Sequence, residues 1–115
     1  MPSRAIAAVR YALRGIRFML GERNCQVLAA ASAAAVAAGG YFGLSTLEWC
    51  AVVLAISAVW VAEGLNTALE RLADLVSPGY HPLAGKAKDL AAGAVLIAAL
   101  GAVSIGILIF GPRLV

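Results

Sequence analysis

Residues 24–47 hold no charged side chain. Wound as a helix at about 1.5 Å per residue, this run reaches about 36 Å, enough to cross a hydrocarbon core of about 30 Å. Water is absent there, so the backbone has to satisfy its own hydrogen bonds, and a helix is the form open to such a segment. A second apolar stretch follows Ser45 and runs to about Val76, and a third covers residues 90–111. Composition agrees: 63% of the 115 residues are hydrophobic, 13% are charged and the mean hydropathy is +0.92, far too apolar for a soluble domain of this size. The first run comes too late, and has too many apolar runs after it, to be a cleaved signal peptide. The chain reads as a single all-α integral membrane domain over residues 1–115. Its parts are a surface helix at about 3–20 and spans at about 24–44, 48–76 and 90–111.

The ends of these segments follow from local chemistry. In residues 3–20, Arg10, Arg14 and Arg17 fall at helical spacing beside Val9, Leu13, Ile16 and Leu20, the pattern of an amphipathic helix lying in the interface. Gly39, Gly40, Gly43 and Ser45 make a turn, and Ser45 followed three residues later by Glu48 forms a capping-box start. The helix that follows is too long for one crossing, so its last three turns, with Glu70, Arg71 and Asp74, emerge from the bilayer. Ser77, Pro78, Gly79 and Pro82 break it, and the connection is expected to end with Lys86, Lys88 and Asp89. The Ala-rich run from Ala29 to Ala38 reads as close helix packing by small residues. Cys25 and Cys50 fall near opposite ends of one helical hairpin, too far apart to bridge.

Charge gives the orientation. Five of the nine basic residues, Arg4, Arg10, Arg14, Arg17 and Arg23, precede the first span, while the link between the first two spans holds only Glu48. The net charge of +3 is therefore a topological signal and not a nucleic-acid footprint. The amino terminus and the link after the second span face the cytoplasm, and the carboxyl terminus lies outside.

Glu63, Asn66, Glu70 and Asp74 break the apolar pattern. Offsets of three, seven and eleven residues return to nearly one direction on a helix, within an arc of about 80°. A carboxylate at membrane depth costs about 2.5–3.5 kcal/mol on insertion scales and normally faces a bundle interior, water or a cation. No basic residue lies in any span to pair with Glu63, so the stripe reads as a functional face.

The string E-G-L-N-T-A-L-E-R-L-A-D-L from Glu63 to Leu75, followed by Y-H-P-L-A-G-K-A-K-D-L-A-A-G-A-V from Tyr80 to Val95, resembles the prokaryotic diacylglycerol kinase family of small three-span lipid kinases. The likeness covers nearly the whole chain. G-E-R-N from Gly21, Glu48-Trp49, N-T-A at Asn66 to Ala68, His81-Pro82 and the ending G-I-L-I-F-G-P-R resemble its undecaprenol kinase branch, although Leu28 stands where that branch carries histidine. The resemblance implies ATP as co-substrate, Mg²⁺, a lipid alcohol acceptor (undecaprenol, or diacylglycerol as the alternative), a bacterial inner membrane and a homotrimer with sites composed between subunits.

Phosphoryl transfer needs in-line positioning, cations on the phosphate oxygens and an acceptor for the hydroxyl proton. Glu63, deepest on the stripe, is placed to take that proton, and Asn66, one turn outward, to fix the geometry. The resemblance implies the same for Glu63, and it assigns Glu22 and Glu70 to the metal, an oxygen-ligand pair that suits Mg²⁺. By the same resemblance Lys88 and Asp89 contact the nucleotide, joined by Arg4, Tyr11 and His81, with Asp74 and Lys86 completing the cluster. No Walker glycine loop or protein-kinase glycine loop occurs, so side chains and metal hold the phosphates.

Plainer readings stand beside these. Arg10, Arg14 and Arg17 are anchors to anionic lipid, Arg71 is a surface charge, and Glu48 is a helix cap. His81 in a Pro/Gly loop is also readable as solvated, and Asp74 as a partner of Arg71 or Lys88. A small proton-coupled transporter would place one glutamate in a span too, but it calls for a polar route across the membrane, and here the carboxylates of the stripe cluster at one surface.

Overall fold

The computed structural model describes residues 2–115, which form four α-helices and, among the described residues, no strand. They are α1 (Pro2–Leu20), α2 (Arg23–Phe42), α3 (Thr46–Val76) and α4 (Pro82–Leu114). The last three are each long and apolar enough to cross a membrane. α1 leaves Ile6, Val9, Leu13, Ile16 and Leu20 exposed, an apolar face that fits a lipid surface.

Each boundary has a local cause. Gly21 and Glu22 end α1 by donating backbone N–H bonds to Phe18 and Met19 carbonyls at 3.1 and 2.9 Å. At the far end of α2, Gly43 takes φ +67° and donates to the Gly39 carbonyl, a left-handed cap that a side chain would strain. The capping box forms as the sequence indicates: the Glu48 N–H donates to Ser45 Oγ at 3.2 Å, and the Ser45 N–H donates to Glu48 Oε1 at 2.9 Å. Just behind this turn, Gly39 lies under the Trp49 ring, which a Cβ there would meet at 2.6 Å.

One boundary differs from the sequence reading. Lys86, Lys88 and Asp89 are helical, not part of a connection, because α4 starts at Pro82 with His81 as its N-cap. The His81 Nδ1 accepts the Leu83 N–H at 3.1 Å, and a proline is well suited to the first helical turn. The three charges do not interrupt the helix; they mark where it leaves the apolar stretch.

Packing is sparse. α3 lies along α4 more extensively than against α2, and among the described residues the buried apolar side chains are Cys25, Leu44, Val52, Val59 and Ile109. Leu44, Val52 and Ile109 form a small core at the α2–α3 turn, with Trp49, Ile105 and Phe110 around it. The same end is tied by Arg113, which donates to both Glu48 carboxylate oxygens at 2.8 and 2.9 Å and to the Ile109 carbonyl at 2.6 Å. Glu48 is thus both a cap and one half of an ion pair. Midway along α2, Trp60 Nε1 donates to Ser32 Oγ at 3.0 Å, and that hydroxyl donates to the Leu28 carbonyl at 2.7 Å.

Candidate active site

Opposite the α2–α3 turn, the α1–α2 corner, the last turns of α3 and the first turns of α4 supply the polar residues. Among the described residues Glu63 is the sole buried charged side chain, at 8% exposure. Asn24, in the first turn of α2, donates its Nδ2 to Glu63 Oε1 at 3.4 Å, and Thr67 Oγ1 donates to the Glu63 carbonyl at 3.0 Å. A neutral amide therefore faces this carboxylate. Among the described residues no ammonium or guanidinium pairs with Glu63.

One turn further on, Asn66 Nδ2 donates to Glu70 Oε1 at 3.3 Å, while Asn66 Oδ1 is buried with no partner. A buried acceptor left unpaired carries its full desolvation cost, about 1–3 kcal/mol, unless something else donates to it. Asn66 also stands near the end of an apolar groove of about 570 Å³ between α3 and α4, lined by Leu54, Ala58, Val61, Leu65, Ala91 and Ala94. From Leu54 to Asn66 the helix rises about 18 Å.

Beyond Glu70, Lys88 Nζ donates to Asp74 Oδ1 at 2.5 Å and ties the end of α3 to the start of α4. Lys88 precedes the uncharged stretch that begins at residue 90. The Asp74 hydrogen bond, aided by the charges of Asp74 and Glu70, holds its ammonium above the ordinary lysine range. Lys86 and Asp89 are exposed on the first turns of α4. His81 is exposed and engaged as the α4 cap. Arg4 and Tyr11 are exposed on α1, and the Tyr11 ring lies 5.6 Å from the Arg14 guanidinium. Among the described residues neither makes a hydrogen bond or an ion pair with α3 or α4.

Glu22 is brought to Arg71, with which it forms an ion pair. Arg71 is therefore no plain surface charge. Among the described residues no three His, Cys, Asp or Glu side chains gather closely enough to hold a metal ion. Two carboxylates nevertheless suit Mg²⁺, which usually takes one or two protein carboxylates and completes its shell with water and phosphate oxygens.

Two partners went unread in the sequence. Asn24 was visible only as part of G-E-R-N, though the lack of any basic residue in the spans signalled that Glu63 needed a neutral donor. Arg71 carried no signal, since its partner lies 49 residues away.

A buried carboxylate one helical turn from an unpartnered amide that lines an apolar groove fits chemistry on a lipid headgroup, and sequence comparison decides the family. The profile of the prokaryotic diacylglycerol kinase family matches residues 10–110. The chain belongs to that family. It is a membrane lipid kinase, with ATP as co-substrate and a lipid as acceptor. It is 46% identical over 93 residues to an undecaprenol kinase of Bacillus subtilis, covering 81% of this chain and 76% of that protein. A diacylglycerol kinase of Synechocystis is 38% identical over 88% of this chain and 59% of its own length. One of Escherichia coli is 30% identical over 88% of this chain and 84% of its own.

Proposed function

We propose that the chain phosphorylates undecaprenol to undecaprenyl phosphate from ATP and Mg²⁺ at the cytoplasmic face of a bacterial inner membrane. The observation that carries the reading is the unpartnered Asn66 Oδ1 near the end of an apolar groove, one helical turn from buried Glu63. A lipid alcohol laid along the groove supplies the missing donor, its hydroxyl. The hydroxyl docks on Asn66 and then turns its one proton to Glu63, which takes it as the oxygen bonds to the γ-phosphorus and the bond to the β,γ-bridging oxygen breaks, releasing ADP. Lys88, already held as a cation by Asp74, supplies positive charge at the phosphate oxygens, with Asp89, His81, Tyr11 and Arg4 as further nucleotide contacts. Glu22 and Glu70 would hold the Mg²⁺, whose chemistry is to neutralise charge on the phosphates.

The preference for undecaprenol rests on the identity of 46% to a protein of that name, against 38% and 30% for the diacylglycerol kinases. Phosphorylation of diacylglycerol to phosphatidic acid is the second reading, favoured by those two relatives. Purified protein in mixed micelles, offered both alcohols with ATP and Mg²⁺, decides between them. The expected result is a kcat/KM for undecaprenol at least about tenfold the higher, a difference of about 1.4 kcal/mol in transition-state binding. A ratio near one or below it transfers the assignment to diacylglycerol, and turnover of neither overturns the site.

A further inference from the structure

Glu22 occupies the N-cap position of α2 without capping it: its backbone is extended, at φ −83° and ψ 138°, and no side-chain cap bond forms. Its carboxylate reaches across to Arg71 instead. Met19, three residues before, lies on α3 at Gly64, where a Cβ would approach its Cε to 2.9 Å. The α1–α2 corner is thus docked on α3 at two points, one apolar and one ionic. Between them runs a groove of about 480 Å³ lined by Gly15, Phe18, Met19, Glu22, Thr67 and Arg71. The Arg71 side chain is 69% exposed and that of Glu22 35%, so water reaches the pair and it opens at little cost.

We infer that Arg71 is a positioning residue that holds the Glu22 carboxylate between turnovers and competes with the divalent cation for it. The inference rests on the assignment of Glu22 to the metal. A guanidinium grips a carboxylate through its planar fork, and the same oxygens are then less available to a cation. Binding of the metal–nucleotide releases the ionic contact and leaves Met19 on Gly64 as the apolar hold on the corner. Glu70 lies on the stripe beside Asn66 and is not engaged by Arg71, so the competition acts on one of the two proposed ligands.

Mn²⁺ binding to the full-length protein in micelles, with a non-hydrolysable ATP analogue present, is read by electron paramagnetic resonance, without turnover. Arg71→Ala is expected to bind Mn²⁺ about two- to fivefold more tightly, the weight of an exposed ion pair, and Arg71→Lys to fall between. On a Glu22→Gln background, which itself weakens binding, Arg71→Ala is expected to change nothing further. Arg23→Ala, which removes an equal charge next to Glu22 without touching the pair, separates pairing from diffuse repulsion. If Arg23→Ala reproduces the whole gain, or if Arg71→Ala leaves Mn²⁺ affinity unchanged or lower while Glu22→Gln weakens it, the competition is overturned and the metal assignment stands. Should Glu22→Gln bind Mn²⁺ as the parent does, both ideas fall together.

Discussion

At the scale of single residues, the protonation chemistry proposed for Glu63 depends on its neighbours being neutral. Asn24 supplies an amide at 3.4 Å, Thr67 occupies the Glu63 carbonyl, and the salt bridges of this end go to Glu22 and Asp74. A general base contributes about 10²–10⁴-fold to a rate. Glu63→Gln keeps the shape and the amide contact but removes the proton acceptor, so kcat should fall by at least about 100-fold while the helical circular dichroism is unchanged. A Gln variant with more than a tenth of parental turnover removes Glu63 from this role. Glu63 was legible in the sequence because a membrane carboxylate without a nearby base stands out from its surroundings. Asn24 was not, since a neutral amide at a helix start has no periodic signature, and the sides of α3 to which Arg71 and Asp74 turn depend on where α1 and α4 lie.

At the scale of elements, the helices were readable where hydropathy and capping agree and less so where charge was taken for a break. The α2–α3 turn follows from Gly43 and the Ser45–Glu48 box, whose two hydrogen bonds form. The start of α4 was misplaced because Lys86, Lys88 and Asp89 were read as loop, although His81-Pro82 is itself a helix start. The Glu48–Arg113 pair has no local signature for a third reason: it joins the first turn of α3 to the last turn of α4, across 65 residues. Both side chains are under one-third exposed and the contact is bidentate, so the pair stands above the usual surface ion pair. Together with Leu44, Val52 and Ile109 it fixes how the two long helices end against each other. A double-mutant cycle of Glu48→Ala and Arg113→Ala, followed by SDS unfolding in mixed micelles, should show that the two changes together cost less than the sum of each alone. Additive effects of the two changes would show that the clamp adds no stability.

At the scale of the molecule, the surface does not close. The chain exposes 8331 Å², whereas a globular monomer of 11.7 kDa exposes about 5,900 Å². Its radius of gyration is 17.2 Å, against about 13 Å for a compact domain of this length. Lipid covers part of the excess, but lipid cannot complete a polar site, and in one chain Glu22 is turned to Arg71 while Glu70 is turned to Asn66. We propose that copies close in a ring, as a homotrimer, by a heterologous contact that sets one protomer's Glu63 and Glu22 against a neighbour's exposed Asp89. Mixing two separately inactive variants, Glu63→Gln and Asp89→Asn, tests this directly. In a randomly reassembled equimolar mixture a shared site is intact when one side comes from the Asp89→Asn chain and the other from the Glu63→Gln chain. Each choice falls one time in two, so activity should return to about a quarter of the parental value. If each site were built within one protomer, every site in the mixture would carry one lesion or the other. Activity would then stay at the level of the single variants however the copies were combined.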